Sequence, residues 1–255
     1  MPRAVIIMCL ALAVVSLGLF AASCGNSNAQ YRVVNAISNT SLLNGGSLAI
    51  YMNGGSVFPT VNFPGTEPGS GKYANVQQGT DSLDVYASGT AGESGDEIIG
   101  SALNLNGNTQ TTVVLTGNQS TTLAAQKYTD NNTTQPISGN ALFRVINASA
   151  VTQDVEGVDV YILAAPFTPR TPGAQSLNSS ALTFRDADTL PYTNVGLPTS
   201  NSLNVFVTAH GQTGDYAPPI TVSGLTGHTS IRTIIVVDGN DGTSPPQLLQ
   251  LTDVN

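Results

Sequence analysis

The chain has 255 residues, a formal net charge of −8 and 9% charged residues, against about 25% in an average soluble domain. This sparse, acidic charge leaves no basic patch to neutralise phosphates, which excludes nucleic acid and argues against electrostatic docking on anionic lipid. Hydrophobic residues make up 40% and fall in short runs of Val, Ile, Leu and Tyr, which excludes a disordered chain.

The N-terminus has the layout of a secretory signal. One basic residue, Arg3, precedes an uncharged apolar run over residues 4–20, and small residues then lead to Cys24. A cysteine after Ala-Ala-Ser resembles the lipobox of bacterial lipoproteins, in which the signal is cut before the cysteine and the sulfur carries a diacylglycerol. We therefore predict a signal peptide over residues 1–23, lipid attachment at Cys24 and a lipidated tether over 24–29. The alternatives are a plain secretory signal with an incidental cysteine and a retained membrane anchor.

Lipidation at Cys24 would hold the mature protein to a membrane without spanning it. Gly25, not Asp, follows Cys24, which resembles lipoproteins sent to the outer membrane. We expect a bacterial cell-envelope location, periplasmic or on the surface, with the outer membrane favoured. Cys9 would leave with the signal and the remaining cysteine would be acylated, so we expect no intramolecular disulfide.

An internal duplication is the strongest signal in the rest of the chain. Six short blocks recur in the same order after 110 to 122 residues, a period typical of a domain and not of a solenoid repeat. The matched blocks are 32–38 with 144–149, 48–51 with 158–161, 73–76 with 192–195, 82–86 with 202–206, 105–107 with 225–227, and 117–118 with 239–240. We predict one domain over residues 30–130, a polar linker over 131–138 and a second domain over 139–255.

The apolar runs within each repeat have strand length and are rich in β-branched residues, as at 31–36, 47–52, 82–87 and 110–116. Turn signals such as Asn53-Gly54 separate them, and no helical period is sustained. The pattern predicts an all-β chain of two tandem immunoglobulin-like antiparallel β-sandwich domains, each with about seven strands.

The repeated motifs resemble a known family. The order Arg-Val-Val-Asn-Ala, then a strand ending in Tyr51, then Tyr-x-Asn-Val, then Ser-Leu-x-Val-aromatic is similar to the DUF4397 domain. The family's Asp-Val-Tyr motif is present at Asp159, whereas the first repeat has Ala49 there. The resemblance implies a β-sandwich-like domain in an extracellular or lipid-anchored bacterial protein, often in tandem. It supplies no catalytic residues.

Catalytic and cofactor motifs are missing from the sequence. The two histidines, His210 and His228, both fall in turn-like settings of the second repeat, and no Gly-x-Ser-x-Gly motif presents a nucleophile. The spacing of the two histidines fits no standard metal site. We therefore expect no enzyme activity, no cofactor and no bound metal, and interpret both histidines as solvent-facing turn residues.

An acidic turn runs from Asp238 to Gly242. Its oxygen-bearing residues do not follow the spacing of an EF-hand loop, so we interpret it as a hairpin turn and keep calcium binding as the alternative.

The matched Arg32 and Arg144 stand out in a chain with few cations. We expect them to have a structural role, for example pairing of Arg32 with Asp84 or capping of loop carbonyls, and ligand binding is the alternative. The matched tyrosines, Tyr51 with Tyr161 and Tyr73 with Tyr192, are interpreted as core or sheet-edge aromatics whose hydroxyls find backbone partners.

One segment, residues 164–188, is longer than its counterpart in the first repeat. Insertions in sandwich domains map to loops, which commonly carry recognition, so a partner site is best sought there. We expect a lipid-anchored, non-enzymatic envelope protein that acts as a binding, adhesion or scaffold module for a protein or glycan. A carbohydrate-binding module, with Tyr73, Tyr192 or Tyr216 stacking on sugars, is one alternative. An envelope hydrolase with a dispersed site is the other.

Overall fold

The computed structural model describes residues 28–38, 47–88, 97–118, 121–130, 134–178, 180–186, 192–226, 230–240 and 245–253. The prediction of an all-β sandwich fold is confirmed, and one short 3-10 helix, Ala150–Val155, is present in the described chain. The strands are β1 Asn28–Ile37, β2 Ser47–Met52, β3 Gly55–Asn62, β4 Gly65–Glu67, β5 Ala74–Gln77, β6 Gly79–Ala87, β7 Glu97–Leu105, β8 Gln110–Gly117, β9 Ala124–Asp130, β10 Asn140–Asn147, β11 Val158–Leu163, β12 Thr193–Gly196, β13 Leu203–Ala209, β14 Asp215–Val222, β15 Ile231–Val237 and β16 Gln247–Thr252.

The strands form four sheets, two in the N-terminal half (β1–β9) and two in the C-terminal half (β10–β16). Sheet 1 has the order β4-β1-β8-β9, with β5 also pairing with β1, and sheet 2 has the order β3-β2-β6-β7. Sheet 3 is β12-β10-β15-β16 and sheet 4 is β11-β13-β14. Strands built from matched sequence blocks occupy equivalent places, since β5 flanks β1 as β12 flanks β10.

Most described strand pairs are antiparallel, but each half has one parallel pair. Strand β1 runs parallel to β8, and β10 runs parallel to β15. The tight turn predicted at Asn53 and Gly54 joins β2 to β3, with φ of 51° and 76°, the left-handed values that a two-residue hairpin loop requires.

Three apolar clusters hold the sheets together. One fills the space between sheets 1 and 2, a second the space between sheets 3 and 4, and the third joins sheet 1 to sheet 3. Alternation along β1 explains this, because Val33 and Ile37 face the first cluster while Val34 and Ala36 face the third. Sheets 1 and 3 are therefore inner layers covered on both faces, which accounts for their continuous hydrophobic runs.

The two halves pack with their central strands pointing the same way. At one end, Arg32 of β1 donates to the carbonyl oxygen of Thr252. Thr252 ends β16 and lies opposite Arg232, near the start of β15. At the other end, Ser38 follows β1 and donates to Asp238, which follows β15. Strands β1, β8, β10 and β15 thus all begin at one end of the molecule, called the Asn28 end, and all finish at the other, called the Asp238 end.

Candidate functional site

The densest group of charged side chains in the described chain lies between sheets 1 and 3. Arg32 on β1 is fully buried, and its Nη2 donates to Asp253 of the other half. The same guanidinium donates from Nε to Thr112 Oγ1 at 2.9 Å and from Nη1 to the Thr252 carbonyl at 3.0 Å. Three directions of the guanidinium fork are therefore occupied, two of them by the C-terminal half.

Arg144 on β10 makes the equivalent contacts, with the roles of the two halves exchanged. Its Nη2 donates to Asp130 of the N-terminal half, and its Nη1 donates to the Thr129 carbonyl at 3.2 Å. Its Nε donates to Thr233 Oγ1 at 3.1 Å, within its own half. The cluster therefore repeats around an approximate twofold axis that relates the two halves.

Each carboxylate in the cluster is also bound by its own half. Asp130 accepts from the hydroxyls of Thr112 and Tyr73, and Asp253 accepts from those of Thr233 and Tyr192. Two cations and two anions cancel in charge, and their polar atoms are extensively hydrogen-bonded. Buried charges are tolerated under these conditions.

The tyrosine rings complete the cluster. The Arg32 guanidinium carbon lies 4.9 Å from the centroid of the Tyr73 ring, and that of Arg144 lies 4.8 Å from the Tyr192 ring. Burial, followed by the negative charge of Asp130, holds the pKa of the Tyr73 hydroxyl well above its ordinary value. Burial also raises the pKa of Tyr192, although the nearby Arg144 charge opposes the shift.

The carboxylates keep both arginines charged. Burial opposes the charge of Arg32, but Asp253 and Asp130 outweigh it and raise its pKa above the ordinary value. The pKa of Arg144 is raised in the same way, with Asp130 as the largest contribution that overcomes burial.

Two details of the sequence prediction are wrong here. Arg32 does not pair with Asp84, which lies on β6 in sheet 2, because its guanidinium points away from its own sandwich core and across to the other half. The hydroxyls of Tyr73 and Tyr192 bind carboxylates and not backbone atoms.

The two aspartates were not among the residues predicted from the sequence. A signal was present, because a Thr-Asp pair closes each repeat, at Asp130 and at Asp253.

Asp238 forms a second polar junction between the halves. It is 1% exposed, and its carboxylate accepts from the hydroxyls of Ser149 and Ser38, the backbone N–H of Val151 and the amide of Asn118. Two of these donors belong to the N-terminal half and two to the C-terminal half. The carboxylate is therefore engaged in joining the halves, whereas Gly242 lies outside the described residues.

His210 lies in the turn after β13, and its side chain is 45% exposed. Its Nδ1 lies 3.0 Å from Asp159 Oδ1, and the Gly211 N–H donates to the other oxygen of the same carboxylate. His228 lies outside the described residues. Within the described residues, no group of three His, Cys, Asp or Glu side chains is placed to hold a metal ion.

Part of the long segment over residues 164–188 packs against a sheet. Leu182 bridges to Val158 of β11, and Asn178 bonds to the backbone of the same strand, so this portion covers the edge of sheet 4. Arg185 reaches the other half and donates to the Thr122 carbonyl. Phe167, 51% exposed, lies in the part that remains open to solvent.

The outer face of sheet 2 carries an aromatic pair. Tyr51 on β2 and Tyr86 on β6 pack edge to face, with ring centroids 5.4 Å apart, and both are partly exposed. The carboxylates of Asp84 and Glu97 lie on the same face, opposite Tyr51 and Tyr86 in the strand register. Burial, then Glu97 and Asp84, raise the pKa of Tyr86.

A domain of unknown function, DUF4397, matches residues 29–161, a little over half of the sequence. The chain belongs to the DUF4397 family. The match runs from the second residue of β1 to Tyr161 in β11, so it includes the described N-terminal half except Asn28, all of β10 and the first four residues of β11. No curated protein matches this DUF4397 chain.

Three solved structures show weak overall similarity to the DUF4397 chain. A streptococcal virulence factor described as binding α-glucan is 11% identical, with a TM-score of 0.30 over 88% of this chain and 97% of that chain. The multi-modular glycogen-degrading pneumococcal virulence factor SpuA is 11% identical, with a TM-score of 0.29 over 90% of this chain and 22% of that chain. A DUF3823 family protein from Bacteroides ovatus is 14% identical, with a TM-score of 0.19 over 78% of this chain and 100% of that chain. At these TM-scores the likenesses carry no argument about ligand or activity.

Proposed function

We propose that this protein is a lipid-anchored, non-enzymatic module of the bacterial cell envelope, whose two tandem β-sandwich units form one rigid body that binds or holds an envelope partner. The reciprocal binding of Arg32 to Asp253 and of Arg144 to Asp130 carries the proposal. These four side chains are the densest group of charges in the described chain. They are buried between the halves, where they hold the halves together and a substrate cannot reach them.

The proposed anchor is supported by the order of the segments. Cys24 lies at the end of a signal-like segment, and the first described strand, β1, begins at Asn28, four residues further along the chain. In the described part of the chain, no helix is long and apolar enough to cross a bilayer.

Membrane fractionation of two cysteine variants tests the anchor. Cys24→Ser should move the protein from the membrane to the soluble fraction and abolish metabolic labelling with a radioactive fatty acid. Cys9→Ser is the matched control, because Cys9 lies within the proposed signal, and it should leave both properties unchanged. Retention of Cys24→Ser in the membrane, with undiminished labelling, would contradict the proposal.

A pull-down identifies the partner. The mature chain, residues 25–255 with an affinity tag, is incubated with native envelopes, and bound material is analysed by mass spectrometry and glycan analysis. A binding role predicts enrichment of a specific protein or glycan over the same bait unfolded by heat. No enrichment from a folded bait would leave a passive structural coat as the better description.

Carbohydrate binding is a second candidate, and the Tyr51–Tyr86 pair favours it. Partly exposed aromatic rings can stack on the apolar face of a sugar, and the neighbouring carboxylates of Asp84 and Glu97 can accept hydrogen bonds from its hydroxyls. Of the three tyrosines that the sequence suggests for this role, Tyr73 and Tyr192 are already stacked on arginines between the halves. The third, Tyr216, donates its hydroxyl to the Val151 carbonyl.

A glycan array tests this candidate with the mature chain. Tyr51→Ala and Tyr86→Ala should each weaken binding of any glycan that the wild type retains, by about tenfold for a stacking contact worth 1.4 kcal/mol. Val57→Ala, at an exposed apolar position on β3, is the control. Absence of any glycan above background for the wild type would refute carbohydrate binding.

A further inference from the structure

The position of β1 restricts which surface can approach an anchoring membrane. Only Gly25, Asn26 and Ser27 separate Cys24 from Asn28. Four Cα-to-Cα steps span at most about 14 Å in a fully extended chain. A lipid on Cys24 would therefore hold Asn28 close to the headgroups of the bilayer.

The parallel packing of the halves brings a second set of residues to the same end. Strand β10 begins at Asn140, and the direction of the central strands places this start at the Asn28 end with the start of β1. Ile137 precedes β10 there and is held by two hydrogen bonds, one from the Asn140 N–H to its carbonyl and one from its own N–H to Asn194. Its side chain is 64% exposed, more than the other large hydrophobic residues of the described chain that are exposed.

The charges of the described chain are distributed unequally between the two ends. Near the Asn28 end, Lys127 donates to the carbonyl oxygen of Asn104, close to the end of β7, and is exposed. Gln77 ends β5 directly opposite Asn28 and is also exposed. Asp81, Asp130 and Asp253 are buried, and the partly exposed Glu67 lies further along β1, opposite Val33.

Exposed acidic residues lie at the Asp238 end. Glu97 begins β7, Asp154 and Glu156 lie in and just after the 3-10 helix, and Asp215 begins β14. Arg170 and Arg185 lie near this end too, beside Gly214 and Thr122. The exposed acidic residues of the described chain are therefore concentrated at the Asp238 end.

We propose that the Asn28 end of both halves, with Ile137 and Gln77, rests on the phospholipid surface that holds the anchor. This inference depends on the proposed lipid anchor. The exposed isoleucine can enter the interfacial region, and the exposed side chains of Asn75 and Gln77 on β5 are uncharged. The Asp238 end, with its acidic residues, then points away from the membrane and is the end presented to partners.

Depth-dependent fluorescence quenching tests the orientation in the lipidated full-length protein. Because Cys24 carries the lipid, a maleimide fluorophore labels only an introduced cysteine. Ile137→Cys and Asp154→Cys, at opposite ends, are labelled separately and reconstituted in vesicles of phosphatidylethanolamine and phosphatidylglycerol that contain headgroup spin-labelled lipid. The proposal predicts severalfold stronger quenching at position 137 than at position 154.

The outcomes separate this inference from the anchor. Vesicle-bound protein with equal quenching at both positions, or with stronger quenching at position 154, overturns the orientation and leaves the anchor intact. Protein that does not float with the vesicles overturns the anchor and the orientation together. Gln77→Cys is a second probe of the Asn28 end at an exposed site opposite Asn28, and the proposal requires it to be quenched more strongly than position 154.

Discussion

Asp130 and Asp253 occupy equivalent places at the ends of the two halves, and each binds the arginine of the opposite half. Arg32 and Asp253 are 221 residues apart in the chain, so this pair joins its first described strand to its last described residue. A pair of identical contacts related by an approximate twofold axis closes on itself, as in a symmetric dimer. The two halves are therefore joined as two subunits of a homodimer would be.

Removal of one carboxylate should destabilise the whole molecule. Asp253→Asn removes the carboxylate that hydrogen-bonds to Arg32 and leaves the buried cluster with two cations and one anion, and breaking a buried ion pair on one side costs about 3–5 kcal/mol. Urea unfolding followed by circular dichroism should show this as a lower midpoint. Asp84→Asn, the same change at a partly exposed site, should alter the unfolding free energy by about 0.5 kcal/mol or less.

A double variant distinguishes the energy of the ion pair itself from the cost of leaving an unpaired charge buried. Arg32→Met combined with Asp253→Asn removes both charges and should be more stable than Asp253→Asn alone, because no uncompensated cation stays buried. If the double variant is less stable than the wild type by the sum of the effects of Arg32→Met and Asp253→Asn measured singly, then Arg32 and Asp253 are not energetically coupled, contrary to this prediction.

Stability should also fall at alkaline pH. The pKa values of Tyr73 and Tyr192 are raised above 10, and that of Tyr31 is raised to about 12, in each case mainly by burial. A group whose pKa is higher in the folded state contributes stability that is complete below its unfolded pKa, near 10, and is lost as the pH rises towards the folded value. The urea midpoint should therefore decline progressively above about pH 10.

Absorbance at 295 nm tests this assignment directly. In the folded protein these tyrosines should stay un-ionised at pH values where free tyrosine is already a phenolate, and urea should release their ionisation. Tyr73→Phe with Tyr192→Phe should make the midpoint less dependent on pH in this range. Full ionisation of all eight tyrosines in the folded state near pH 10 would show that the cluster is open to solvent.

The local parts of the fold could be predicted from the sequence. Alternation and β-branched runs placed β2 and β6 within a few residues of their observed bounds, and the Asn53-Gly54 turn followed from the demand for left-handed residues. Such features depend only on residues that are close together in the sequence. The repeated Tyr-x-Asn-Val block likewise marked β5 and β12, which occupy equivalent places.

The docking of the halves could not be predicted in the same way. The partner of Arg32 is set by how two sheets face each other, and a carboxylate in the same repeat, such as Asp84, is equally compatible with the sequence. One signal was nevertheless present. The runs at Val33-Val34 and at Ile234-Ile235 do not alternate, which indicates strands buried on both faces and hence a layer on each side.

The two halves should stay together when the chain between them is cut. A specific protease site introduced over residues 131–134 allows cleavage after folding, and the third apolar cluster with both arginine–aspartate pairs remains intact. Size-exclusion chromatography at micromolar concentration should show one species with the mass of the uncut protein. The same cut in Arg144→Ala should release the halves more readily. Two separate peaks from the cut wild type would mean that the linker, and not the interface, holds the molecule together.

Calcium should leave thermal stability unchanged. The Asp238 carboxylate is buried and accepts from four donors on both halves, so a cation at the acidic turn would have to displace hydroxyl and N–H groups that it cannot replace. A ligand present at a hundred times its dissociation constant stabilises the folded state by about 2.7 kcal/mol, a shift that calorimetry resolves easily. Equal melting temperatures in excess calcium and in chelator are therefore expected.

Asp238→Ala should lower the melting temperature equally under both conditions, because it removes a junction between the halves. A calcium-dependent rise that Asp238→Ala abolishes would instead assign the turn as a cation site.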